Sequence, residues 1–187
     1  MKQSFSGSLI VLISILCIKI HAQSITLKQL QQFAVTSADR VEETLLKDGW
    51  KRYAMQIVPD SNLVKRSWSV MVKEDATKSY LMYWEFSKDT TENYMVYQFS
   101  DRTQYDNYRK GLKNEGYKLL KESKSSKKNK QKQDNVSNDK VDNYYNQKTK
   151  TLVVIKEVFT YGLFSFLTYA YRPGSQYAEN LYRNFQK

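Results

Sequence analysis

Residues 45–53 read LLKDGWKRY and residues 112–120 read LKNEGYKLL. In both stretches a run at helical spacing ends in a polar pair, and Gly, an aromatic residue and Lys follow in that order. A Gly just past a helix accepts the left-handed backbone that ends it, and the next apolar side chain packs back on the last turn. Gly49 and Gly116 thus mark two helix ends, 67 positions apart. What flanks them decides the fold: helix before, strands after, twice.

Working outward, Leu27, Leu30 and Phe33 lie at helical spacing within Ile25 to Ala34, with Thr26 placed as N-cap. Asp39 to Asp48 sets Val41 and Leu45 one turn apart beside Leu46. Beyond Gly49 come four runs rich in Trp, Tyr, Val and Phe: Trp50 to Val58, Lys65 to Lys73, Ser79 to Ser87 and Asn93 to Ser100. Turn-forming clusters separate them, which predicts antiparallel strands. The second unit starts with a helix over Asp101 to Asn114. Its strands are predicted at Tyr117 to Ser123, Val141 to Gln147, Thr151 to Phe159 and Leu163 to Tyr171. A second echo, Tyr97-Gln98-Phe99-Ser100 against Tyr169-Ala170-Tyr171-Arg172, has an offset of 72. The closing helix, Ser175 to Phe185, carries the stripe Tyr177, Leu181, Phe185.

These readings predict an α+β fold of two tandem units, about 26–100 and 101–187, each a helix plus a four-stranded antiparallel sheet. The units join as one curved sheet with the helices on one face, and residues 23–187 form a single globular domain.

Residues 1–22 read differently. Lys2 precedes the apolar run Leu9 to Ile18, and Ile20 and Ala22 suit cleavage before Gln23, the pattern of an export signal too short to span a bilayer. A secreted or periplasmic protein is expected, with no membrane span after cleavage. Removing Lys2 and Lys19 takes the formal charge from +11 to +9. The chain's single Cys and single His, Cys17 and His21, leave with the same segment. The remainder has no thiolate, imidazole or disulfide chemistry and no zinc site of the usual ligands. No Gly-rich phosphate loop, Ser elbow or calcium loop is present either, so no cofactor, metal or catalytic residue is assigned.

Two features point to binding. Residues 118–140 hold eight Lys against three acidic residues, a composition that does not fold on its own. A disordered loop is expected near 123–140. Lys127, Lys128, Lys130 and Lys132 would attract an acidic partner by Coulomb steering. The scarcity of Arg there argues against geometric phosphate recognition, and nucleic acid is not expected. The strands supply the second feature. On the third strand Tyr80, Met82, Trp84 and Phe86 alternate with Leu81, Tyr83, Glu85 and Ser87, so both sides are apolar. The alternation is read with Leu81 and Tyr83 outward, and with Trp50, Trp68 and Trp84 in the core. Tyr83, Tyr94, Tyr144 and Tyr145 are the residues assigned to an exposed aromatic face.

In outline the paired ends at Gly49-Trp50 and Gly116-Tyr117 resemble small exported two-repeat proteins such as the β-lactamase inhibitory protein, and the helix-plus-sheet lipoproteins of envelope assembly. The resemblance spans roughly Thr26 to Phe185. It implies the architecture and carries over no functional residue, because the inhibitor's disulfides are impossible here. The expectation is an exported, non-catalytic binding protein that recognises an acidic protein, a glycan or an anionic envelope component. The competing expectations are a small hydrolase or lyase using Tyr, Lys and carboxylates, and a structural envelope protein self-associating through strand edges.

Overall fold

Both glycine-marked ends form as the sequence dictates. Gly49 and Gly116 take φ of +84° and +81°. The Trp50 amide donates to the Leu45 carbonyl at 2.9 Å, and the Tyr117 amide to that of Leu112 at 3.0 Å. Trp50 and Tyr117 are then buried against the helices they follow.

The computed structural model describes residues 24–59, 62–71, 78–120, 123–124, 140–160 and 163–186. The expected export signal, the loop lysines Lys127, Lys128, Lys130 and Lys132, and most of the Lys-rich segment lie outside the described residues. The helices are α1 (Leu27–Val35), α2 (Ala38–Lys47), α3 (Arg102–Asn114) and α4 (Gln176–Phe185). The strands are β1 (Lys51–Val58), β2 (Leu63–Met71), β3 (Lys78–Phe86), β4 (Tyr94–Phe99), β5 (Lys118–Leu119), β6 (Ser123–Lys124), β7 (Lys140–Asn146), β8 (Thr151–Thr160) and β9 (Leu163–Tyr171). The fold is α+β. The strands form one antiparallel sheet in the order β1-β2-β3-β4-β9-β8-β7-β5, with β6 also on β7. Its halves meet at the β4–β9 ladder, where Met95 opposes Ala170 and Phe99 opposes Phe166.

The main core lies between one side of this sheet and α1, α2 and α3. Trp68, Leu81, Tyr83, Met95, Tyr97, Tyr144, Ile155 and Phe166 point into it, with Leu30, Val41, Leu45 and Leu112 from the helices. Polar contacts fix the start of α1 and tie it to α3. Thr26 and Gln29 form a reciprocal capping box at the start of α1. The Tyr108 hydroxyl and the Gln104 amide both donate to the Ile25 carbonyl.

The expectation of helices on one face is corrected at α4, which packs on the opposite side of the sheet. Ala178, Leu181 and Tyr182 meet Tyr145, Leu152 and Val154 there, and the Tyr145 and Tyr182 rings stack at 4.2 Å. The stripe read for this helix shifts accordingly: Ala178 is buried, while Tyr177 is half exposed. Periodicity fixes which residues share a stripe but not which sheet face receives it.

Candidate binding face

Register across the hairpins determines which side chains share a side. Lys65, Trp84, Tyr94 and Tyr171 are successive cross-strand neighbours on β2, β3, β4 and β9. They lie on the side away from α1, α2 and α3. The same side carries Tyr80, Met82, Phe86, Val96, Gln98 and Tyr169. Where α4 covers β7 and β8, this side is core. On β3 and β4 it stays part-exposed at Tyr80, Met82, Trp84, Phe86 and Tyr94.

The rings on this side form a continuous array. Trp84 stacks on Tyr94 at 5.6 Å and 12°, Tyr94 meets Tyr171 at 5.1 Å, and Tyr171 stacks on Tyr177 at 5.0 Å. Phe86 and Tyr169 also reach Tyr94, which makes Tyr94 the hub of four ring contacts. Farther out, Tyr53 meets Tyr80 edge-on at 5.3 Å. The Lys65 ammonium lies 5.0 Å from the Trp84 ring centre, within cation–π range. Rings held by other rings lose little freedom when a partner covers them, so the array is pre-organised for contact.

Charge is segregated by side. The described strands carry the carboxylates Glu85, Asp142 and Glu157, and the register puts all three on the helix side. There Glu85 and Asp39 flank Arg66, and Glu157 pairs with Arg102. On the aromatic side the strands contribute Lys51, Lys65, Lys118 and Lys156 and, among the described residues, no acid. The strand charges on this side are therefore all positive, and the carboxylates of Glu92 and Glu179 stand beside it at the start of α4.

Burial pushes the Tyr94 hydroxyl up to about 12, with neighbouring Tyr169 and Tyr177 adding to it. Burial likewise raises Tyr171 far above the ordinary tyrosine range. Both stay protonated donors throughout the biological pH range. A raised folded-state value means the folded chain keeps protons that the unfolded chain releases, so this stability is intact below pH 10 and declines as pH approaches about 12. Denaturation midpoints followed through that window should fall in step with tyrosinate absorbance; a flat midpoint would contradict the burial assigned to these rings.

Of the four tyrosines read as exposed, only Tyr94 is on the open face. Tyr83 is 2% exposed, Tyr144 0% and Tyr145 4%, so their expected exposure is corrected. Tyr83 lies under the α1–α2 junction, donating to the Thr36 carbonyl and accepting from Asn93. Tyr144 is under α3, where its hydroxyl accepts from Arg109 at 3.1 Å. Tyr145 is under α4. Trp50 and Trp68 are core as expected, but Trp84 belongs to the open face. The alternation on β3 is inverted: Leu81 and Tyr83 are buried, and Tyr80, Met82, Trp84 and Phe86 face outward. A usable signal lies on β2, where Ser67 and Ser69 alternate with Trp68 and Val70; antiparallel neighbours share a side, so the small serines mark the face of Met82 and Tyr80.

Two clefts lie elsewhere. One of about 500 Å³ is lined by Gln31, Val35, Tyr117, Thr151 and Val153 among others. The other, about 440 Å³, is lined by Arg40, Tyr83, Glu85, Asn93 and Arg172. Several of their polar groups are engaged with one another: Gln31 donates to Glu115 and Tyr117, the Tyr117 and Thr151 hydroxyls share a bond, and Arg172 donates to the Thr90 carbonyl. Among the described residues no group of three or more His, Cys, Asp or Glu could hold a metal ion, and no helix is long and apolar enough to cross a membrane. Comparison with protein-family models, curated proteins and solved structures finds no match.

Proposed function

We propose that the chain is an exported, non-catalytic binding protein whose uncovered aromatic sheet face, centred on Trp84 and Tyr94, recognises an anionic partner. One observation carries this reading: a ring array joined across three strands, part-exposed, on a side whose described strand charges are all lysine. Aromatic residues give large contact area at small entropic cost, and positive charge selects the partner's sign. Lys127, Lys128, Lys130 and Lys132 would add to the same attraction for an acidic partner. Export to the periplasm or medium rests on the sequence of residues 1–22.

We further propose that the chain arose from two repeats, about 26–100 and 101–187. The matched ends at Gly49-Trp50 and Gly116-Tyr117 support it, as does a strand order that runs β1 to β4 and then back from β9 to β5. The echo of Tyr97 and Tyr169 does not, because the two side chains lie on opposite sides of the sheet.

The test is capture from the protein's own envelope extract at low and moderate salt, beside a Trp84→Ala twin. A partner held by the intact chain, released by salt and lost by the twin is expected. Equal capture by both would move the contact off this face.

A further inference from the structure

The two edges of the sheet are built differently. At one edge the outer strands are two short pieces, Lys118–Leu119 and Ser123–Lys124, each of two residues. Short, broken, lysine-bearing edges are how sheets avoid pairing with other chains. At the other edge β1 runs for eight residues, and Lys51 to Ile57 are all exposed. Its charges, Lys51 and Arg52, sit at its start, before the bulge between Arg52 and Ala54. The remaining segment, Ala54-Met55-Gln56-Ile57-Val58, is uncharged and regularly paired with β2. Met55 is 58% exposed and Ile57 68%. Both project on the helix side, opposite Arg66 and Val64. A neutral, regularly paired edge segment that exposes apolar side chains is a template for another strand.

We propose that β1 is the pairing edge for a second copy of the same chain, in an antiparallel register centred on Gln56. A two-fold interface must be self-complementary, and this segment is. With Gln56 opposite the partner's Gln56, Met55 meets the partner's Ile57 on one side of the joined sheet, and Ile57 meets the partner's Met55. Ala54 meets the partner's Val58 on the other side. Antiparallel pairing sends Lys51 and Arg52 to opposite ends of the ladder, so no like charges face each other, and the bulge stays outside the paired segment. The joined sheet leaves Trp84 and Tyr94 uncovered, so this pairing is independent of the binding face.

Charge separates a second copy from an acidic partner strand. Each copy carries a formal +11, or +9 without residues 1–22, so two copies repel at long range and pair more tightly as salt is added, whereas an acidic partner would bind less tightly. The experiment is sedimentation of the full chain through a salt series, with Ile57→Lys and Met55→Lys beside it. The intact chain should sediment as a dimer that tightens with salt. Either lysine, present twice by symmetry, should weaken it by at least about tenfold, with the melting temperature unchanged at concentrations low enough for both chains to be monomers, because both sites are exposed. In a Cys17→Ser background, Gln56→Cys should oxidise to a covalent dimer, and Tyr53→Cys should not. A monomer at every salt, a dimer that loosens with salt, a dimer indifferent to both lysines, or cross-linking of the Tyr53→Cys variant but not of the Gln56→Cys variant would each overturn the proposal.

Discussion

Replacing Tyr83 with Ala should lower the unfolding free energy by about 3–5 kcal/mol, the range for removing a large buried aromatic side chain. Replacing Trp84, the next residue, should cost only about 1–2 kcal/mol, the scale of a part-exposed ring with one stacking neighbour and one cation. The contrast follows from sidedness. Tyr83 fills the space under the α1–α2 junction and satisfies both Thr36 and Asn93. Trp84 lies on Tyr94 with Lys65 above it, and solvent reaches it. Denaturant titration of the two variants reads the difference directly. Equal losses would mean that both sides of β3 are core and that there is no open face. The functional effects should run the other way, with Trp84→Ala stable and unable to hold a partner.

The second large effect is expected at Asp142. Its side chain is 1% exposed, and neither carboxylate oxygen has a hydrogen-bond partner among the described residues. Its compensation is electrostatic: the Arg109 guanidinium at 3.4 Å and the Lys140 ammonium at 3.8 Å. Arg109 also donates to the Tyr144 hydroxyl, the leading reason its own proton is held more tightly than usual. Arg109→Met should therefore cost about 3 kcal/mol, because it leaves the buried carboxylate with only the more distant Lys140 and takes the donor from a buried hydroxyl. Adding Asp142→Leu should recover much of that loss, since an apolar pair in the same volume needs no counter-charge. A double variant as unstable as the single one would show that Arg109 acts through packing alone. The cluster is best understood as what fixes α3 on β7, and it leaves the aromatic side free of its carboxylate.

Much of the fold is legible in the sequence because its signals are local. The helix ends at Gly49 and Gly116, the Thr26 cap and all four strands of the first half are set by turn chemistry and alternation within a few residues. Sidedness is not local. Tyr144 and Tyr145 are adjacent and both buried because α3 covers one side of β7 and α4 the other, a fact about elements far apart in the chain. Leu81 and Tyr83 face inward because α1 and α2 land on their side, and in the sequence only the alternating Ser67 and Ser69 on β2 point to it. The aromatic array itself is half visible: Tyr94 reads as a surface residue, while Trp84 reads as core because large apolar rings are usually buried there. The charge segregation that strengthens the site emerges only from register, since Glu85 is next to Trp84 in sequence and on the other side in space.

If the face carrying Met82, Trp84 and Tyr94 is open in the free protein and covered by a partner in its own environment, solvent must reach it in one condition and not in the other. Hydroxyl-radical footprinting of the intact chain, in buffer and in envelope extract, tests this without any substitution. The expected result is oxidation of Met82, Trp84 and Tyr94 in buffer, protection of the same three in extract, and no change at buried Trp50 and Trp68 in either. Protection of the three already in buffer, or equal oxidation in both conditions, would contradict the assignment of this face as the binding surface.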